Sequence, residues 1–301
     1  MQREEHYPHA PAVSRRRFLG GAIAVGAATA VPLIAHSQFF DVPFVPTPQV
    51  VVDEMLRLAG VGPGDVVYDL GSGDGRIVIT AARKFGARAA VGVELDDHLI
   101  YQSEESARQA NLGERVKFVQ QDFFKADFSQ ATVITLYLLP AVMRRLRERM
   151  LRLKPGTRLV AHDFDFEDWK PDRRTTIRKN VFLWIVPASV GGQWQVRAAV
   201  PGSEFAFGLE LRQKYQELDG FARIEGQPGG LWEANIEGDR VRFVVVDSRD
   251  RDNEATLYFE GRVSGGAMEG EGTRGVGNQQ VRFKWLATRV GDLPTKAGGR
   301  K

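Results

Sequence analysis

The chain has 301 residues, 43% hydrophobic and 26% charged, the composition of an ordinary folded protein. It has no cysteine, which excludes disulfides and thiolate metal sites, and only His98 and His162 of its five histidines lie past residue 37, which argues against a histidine-rich metal centre. The formal net charge is +3, and four arginines against two glutamates in the first 37 residues supply most of it. The remainder is close to neutral and offers no general electrostatic footprint for nucleic acid.

The chain opens with a basic cluster, Arg15-Arg16-Arg17, ahead of an apolar, small-residue stretch from Phe18 to Ala35. This is the pattern of a secretory signal over residues 1–37, with Ala35-His36-Ser37 as a small-x-small cleavage site. Ser14-Arg15-Arg16-Arg17-Phe18-Leu19 resembles the twin-arginine signal, with Gly20 where lysine is usual. The resemblance implies the twin-arginine export machinery as a partner and a periplasmic location. The alternative is an uncleaved membrane anchor, for which the apolar stretch is slightly short of the roughly 20 residues a span needs. Lack of cysteine suits a protein that folds in a reducing cytoplasm before export.

Residues 38–49 are proline-punctuated and expected to be irregular. From Val50 a short helical window, closed by "GVGPGD", leads into alternating apolar runs and helical stretches. "VVYDL", "AAVGVEL", "VKFVQQD", "ATVITLYLL" and "RLVAHDF" read as strands. "GRIVITAARKFG", "HLIYQSEESARQANLG" and "AVMRRLRERMLRL" read as helices between them. The alternation predicts a parallel sheet with helices on both faces over residues 50–188. The arginine-rich helix is expected to bury Leu146, Met150, Leu151 and Leu153 and to present a solvated basic face. Past residue 190 short runs separated by glycine-bearing turns predict an all-β antiparallel domain, a small barrel or sandwich, over residues 190–291. Trp194, Trp232 and Trp285 would either line a ligand cavity in it or pack its core. "DSRDRDNEA" lacks the glycine of a calcium loop and reads as a surface turn, and the tail 292–301 is expected to be disordered.

The chemistry lies at the first strand's end. Asp69 is followed by Gly71-Ser72-Gly73-Asp74-Gly75 and then a helix, which brings backbone N–H groups to a helix N-terminus. A dinucleotide fingerprint needs a glycine where Arg76 stands, and Asp69 and Asp74 would repel a pyrophosphate. They suit a cation, such as the sulfonium and ammonium of S-adenosylmethionine. Glu94, with Leu95 after it, ends the second strand where a carboxylate can accept from both ribose hydroxyls. Asp122 ends the third, with Phe123 offering a ring to an adenine.

"VVYDLGSGDGRIVI", "GVELD", "VKFVQQDFF", "VITLYLLP" and "LKPGTRLVAHDF" resemble, in order and spacing, the motifs of class I S-adenosylmethionine-dependent methyltransferases, over roughly residues 44–187. "FVPTP" ahead of "DLGSGDGRIV" is most similar to the small protein-lysine methyltransferases that include those acting on the ATP synthase c-subunit. The resemblance implies a Rossmann-like sheet whose last strand runs antiparallel. It also implies Asp69, Gly71 and Gly73 around the methionine moiety, Glu94 on the ribose and Asp122 near adenine.

The methyl acceptor is sought at the fourth and fifth strand ends, because methyl transfer is an in-line displacement governed by positioning. The Asn/Asp-Pro-Pro-aromatic motif of exocyclic base methylation is absent from Tyr137-Leu138-Leu139-Pro140, which argues against N6-adenine or N4-cytosine methylation; no nucleic-acid partner is expected. Tyr137 could bond an acceptor amine, or be a buried tyrosine with a satisfied hydroxyl. His162 and Asp163 are candidates to orient or deprotonate the nucleophile, with Asp165 and Trp169 at the entrance, and the bland alternative is a solvated acidic turn capping a helix. A divalent metal among these carboxylates lacks its Asp-Asn partner. The acceptor, a protein lysine, a lipid or a small molecule, is not named by the sequence. A cofactor-binding but non-catalytic module whose β-domain carries an interaction is the second reading.

Overall fold

Strands buried on both faces need a layer on each side, and the chain supplies them around a seven-stranded sheet. In chain order the elements are α1 (Gln49–Leu58), β1 (Val66–Leu70), α2 (Arg76–Arg83), β2 (Ala89–Glu94), α3 (Asp97–Gln109), β3 (Val116–Gln120), β4 (Val133–Leu136), α4 (Pro140–Met150), β5 (Arg158–His162), β6 (Arg173–Ile177) and β7 (Lys179–Ile185). The computed structural model describes residues 44–200, 203–246, 256–275 and 280–292. Residues 1–43, which include the segment expected to be a signal, the expected acidic turn at 247–255 and the tail from 293 lie outside the described residues. Strand order is β3-β2-β1-β4-β5-β7-β6. β1 to β5 pair in parallel, and β7 runs antiparallel to both β5 and β6. The implied antiparallel last strand is therefore β7. β6 was unexpected, because "RRTTI" is polar and has no helix before it; it joins β7 through Arg178, which sits at φ 63.

Alternation along the strands divides the core. Val67, Ala90, Val133, Val160 and Val181 face α1, α2 and α3. Leu70, Ile134, Leu136, Phe182 and Trp184 face Met143, Leu146 and Met150 of α4, together with Phe166 and Trp169 from the β5–β6 connection. The basic face of α4 is not simply solvated. Arg149 donates to the carbonyls of Phe123, Phe124 and Ala126 at 2.6–2.9 Å. Arg145 stacks on Phe124 at 4.0 Å, and Arg144 pairs with Glu167 at 2.5 Å. Leu151 and Leu153 lie past the helix end and are only partly buried.

The second domain is a closed antiparallel barrel rather than a sandwich. Its strands are β8 (Gly192–Val200), β9 (Ser203–Lys214), β10 (Glu217–Ile224), β11 (Gln227–Glu237), β12 (Arg240–Val246), β13 (Thr256–Ser264), β14 (Ala267–Arg274) and β15 (Val281–Gly291). Each pairs with its neighbours in sequence and β15 returns to β8, which leaves no free edge. Alternate residues point inward, and Phe207, Phe243, Phe259, Phe283, Trp194 and Trp285 fill the interior as a packed core. Trp285 lies where a Cβ on Gly261 would stand, 2.5 Å away, and its Nε1 donates to the carbonyls of Glu260 and Glu271 at 3.0 and 3.1 Å. Trp232 belongs to neither cavity nor core: it is 63% exposed on the outer wall.

Phe259 sits among Phe243, Phe283 and Trp285 with ring centroids 4.7–5.5 Å apart. Phe259→Ala is expected to destabilise the barrel by about 3–5 kcal/mol. Urea unfolding followed by tryptophan fluorescence measures this, and a change below about 1 kcal/mol would contradict a packed interior.

Candidate functional site

Open α/β sheets receive ligands beyond the carboxyl ends of their strands, and the three acids read from the sequence meet there. Register places them side by side: Leu70 pairs with Val93 and Glu94 with Gln120. The loop after β1 is built on glycines in the left-handed region, with φ 78 at Gly71, 52 at Gly73 and 78 at Gly75. Two of them also admit aromatic rings. A Cβ on Gly73 would stand 2.0 Å from the Phe44 ring, and one on Gly75 2.5 Å from Phe118.

Backbone amides fix this loop against β2. Gly71 and Ser72 donate to the Val93 carbonyl at 2.8 and 3.1 Å. Gly73 donates to Glu94 Oε2 at 2.9 Å, while Leu95 and Asp96 donate to Oε1 at 2.7 and 3.1 Å. Glu94 is thus oriented by three N–H groups and keeps lone pairs for two ribose hydroxyls. Leu95 is exposed on the same edge. Asp122 is half-buried, with one carboxylate oxygen accepting from Phe124 N at 2.9 Å and Phe123 adjacent. Ser72 contributes only backbone, since its side chain is buried, lies where a Gly92 Cβ would stand, and its Oγ has no partner.

Asp69 carries the electrostatics. It is 2% exposed and accepts a hydrogen bond from Thr135 Oγ1 at 2.6 Å. Burial pushes its carboxyl up to about 7; the Thr135 bond opposes this, and the charges of Glu94 and Asp74 add to it. Among the described residues no basic side chain pairs with it, so the residues present fit a cationic ligand. Asp74 differs from its sequence reading. Its carboxylate is held by Arg76 at 2.5–3.0 Å rather than turned to a ligand cation. Arg76 also donates to the Thr47 carbonyl at 3.0 Å, which ties the loop to the segment that precedes α1.

The acceptor-side residues meet beside this loop. Leu70 pairs with Leu136 and Leu136 with Ala161, so Gly71, Tyr137 and His162 are neighbours one step further along. The Tyr137 ring stacks on His162 at 4.0 Å and faces Phe164 at 6.1 Å. His162 is buried, its Nδ1 lies 3.3 Å from Thr47 Oγ1, and its Nε2 has no partner. Burial holds its pKa below the ordinary histidine value, against the pull of Asp163, so it is neutral at pH 7. Asp163 stands apart from the pair: at φ 65 it turns its carboxylate to Lys179 at 2.9 Å. Trp169 does not line the entrance. It is fully buried, and a strand follows the acidic turn where a helix was one expectation. Among the described residues no group of three or more His, Asp or Glu side chains is placed to hold a metal.

Thr47, Thr135, Phe44 and Phe164 were missed by sequence reasoning. Thr135 had a signal, a hydroxyl inside the otherwise apolar strand "VITL". The others depend on contacts between distant segments.

An Asp69 carboxyl raised in this way must ionise to meet a cation. S-adenosylmethionine affinity is therefore expected to be constant above about pH 7 and to fall roughly tenfold per unit below it. Asp69→Asn should weaken binding about 10–100-fold at pH 8 and flatten the pH dependence. Calorimetric titrations from pH 5.5 to 8.5 check this, and equal affinities throughout would contradict it.

The ANTKMT methyltransferase domain family matches residues 69–173. A protein-lysine N-methyltransferase of Saccharolobus islandicus (strain REY15A) is 46% identical over 131 residues, which cover 43% of this chain and 81% of that protein. The ATP synthase C-subunit lysine N-methyltransferase of Mus musculus is 35% identical over 159 residues, 52% of this chain and 63% of the relative, and that of Homo sapiens is 33% identical over 160 residues, 52% and 67%. A solved structure of an RNA methyltransferase from Salinibacter ruber in complex with S-adenosyl-L-homocysteine is 50% identical, with a TM-score of 0.47, covering 48% of this chain and 96% of that one. The barrel strands lie outside the matched residues 69–173. On the strength of the archaeal relative, most of whose length this chain spans at 46% identity, the chain belongs to this methyltransferase family and is an S-adenosylmethionine-dependent methyltransferase.

Proposed function

We propose that the acceptor is the ε-amine of a protein lysine. One observation carries the reading: the Tyr137–His162–Phe164 ring stack, with a neutral buried histidine, beside the glycine loop. The names of the protein-lysine relatives support it. S-adenosylmethionine supplies an electrophilic methyl group on a sulfonium.

The residues then have to deliver an amine with a free lone pair. A lysine amine in water has a pKa of about 10.4 and is protonated at pH 7. Burial among the Tyr137 and Phe164 rings disfavours the ammonium and shifts it towards the neutral amine. With Nδ1–H donated to Thr47 Oγ1, His162 Nε2 is free to accept one amine N–H and turn the lone pair towards the methyl. A neutral imidazole does so without repelling the incoming cation. Asp69 and Glu94 would hold the cofactor, whose methyl would pass to that lone pair with the C–S electron pair left on sulfur, while the surplus N–H proton would leave to water. Asp163 holds Lys179 and keeps that ammonium out of the acceptor position.

His162→Ala is expected to lower the methylation rate about 10–100-fold with S-adenosylmethionine affinity unchanged. Tritium from labelled cofactor should appear as methyl-lysine after hydrolysis of a total protein extract. Label in RNA or lipid, or none in lysine, would overturn the reading.

We also propose export, supported by the Arg15-Arg16-Arg17 cluster and the apolar stretch after it. Arg15→Lys with Arg16→Lys should trap the full-length chain inside the cell, and a periplasmic fraction equal to wild type would contradict the twin-arginine route.

A further inference from the structure

The reaction's candidate residues stand at the ends of β4 and β5 and in the connection after β5, and the barrel reaches that connection. The β5–β6 connection, residues 163–172, contains Phe164 and Asp165 of the acceptor side and has no helix or paired strand of its own beyond the Phe166–Trp169 bridge. Two of its non-glycine residues, Asp163 and Glu167, sit at φ 65 and 60. Such conformations persist only where the surroundings hold them.

Asp163 is held by Asn180 and Lys179 and Glu167 by Arg144, while the turn between β9 and β10 holds the connection at Asp168, Trp169 and Lys170. Gln216, 8% exposed, accepts a hydrogen bond from Trp169 Nε1 at 2.9 Å and donates to the Lys170 carbonyl at 2.7 Å. Its own carbonyl accepts from Ile236 N at 3.2 Å, so the amide is anchored in the barrel wall. Tyr215 stacks on Trp169 at 5.5 Å, and its hydroxyl donates to Asp168 at 3.0 Å. From the sheet side Trp184 Nε1 donates to the Trp169 carbonyl at 2.7 Å. One buried amide thus satisfies two polar groups of the connection, while Trp184 satisfies a third.

We infer that the β9–β10 turn is a clasp that sets the acceptor-side connection, with Gln216 a positioning residue for methyl transfer. The inference rests on the reading that Tyr137, His162 and Phe164 receive the acceptor. It assigns the barrel a part in the reaction without giving it a group that touches substrate or cofactor. Losing the two bonds of Gln216 leaves Trp169 Nε1 and the Lys170 carbonyl without partners and loosens the connection that carries Phe164.

Full-length wild type, Gln216→Met and the milder Tyr215→Phe, which keeps the stacking, test this in two measurements. Hydrogen–deuterium exchange of peptides over residues 163–172 should quicken about tenfold in Gln216→Met and less in Tyr215→Phe, with the peptide over 66–80 unchanged. Initial methylation rates on a subsaturating total protein extract should fall about tenfold in Gln216→Met, with the KM for S-adenosylmethionine unchanged. Unaltered exchange at 163–172 in both variants would overturn the clasp. Faster exchange with wild-type rates, while His162→Ala is slowed, would overturn the positioning role alone. A His162→Ala protein as fast as wild type would instead sink the acceptor reading beneath it.

Discussion

A carboxylate buried at the end of the central strand is costly unless a positive charge comes to it, and the site is organised around that constraint. Asp69 is held by Thr135 from the neighbouring strand and shielded from water by the glycine loop above it. Without a cation it prefers its proton up to about pH 7, so its ionisation disfavours the folded chain as pH rises from about 4 to 7. A bound sulfonium and ammonium reverse that preference.

The other contacts at the site follow from keeping that carboxylate dry and the loop above it fixed. Three left-handed glycines let the backbone turn over Asp69, and Phe44 and Phe118 occupy the space their missing side chains leave. Arg76 joins Asp74 of the loop to Thr47, and Thr47 in turn meets His162. Cofactor loop and acceptor side are thereby linked through one short segment ahead of α1.

Much of the sheet was legible because its strands are continuous apolar runs and its helices carry clear glycine stops. Asp69 and Glu94 were legible because each interrupts or ends an apolar run, whereas Asp122 follows two glutamines and was read from its place after the third strand. β6 was not, since "RRTTI" is a polar edge strand fixed by pairing with β7 rather than by its own pattern. Trp169 was misread because an aromatic residue after "DFDFED" looks exposed until the barrel covers it. Asp74 was read as facing a ligand because the bond to Arg76, two residues on, is a matter of side-chain direction. In the barrel, nothing local distinguished Trp232 outside from Trp194 and Trp285 inside.

The protonation of Asp69 tests this constraint most directly. Carbon-13 NMR of the aspartate carboxyl groups, titrated from pH 4 to 9 with and without S-adenosylmethionine, reads it, with Asp69→Asn to assign the resonance. The expected midpoint is about 7 in the free protein and well below that in the complex. A midpoint near that of an ordinary carboxylate, about 4, in both would contradict a buried acid that awaits a cation.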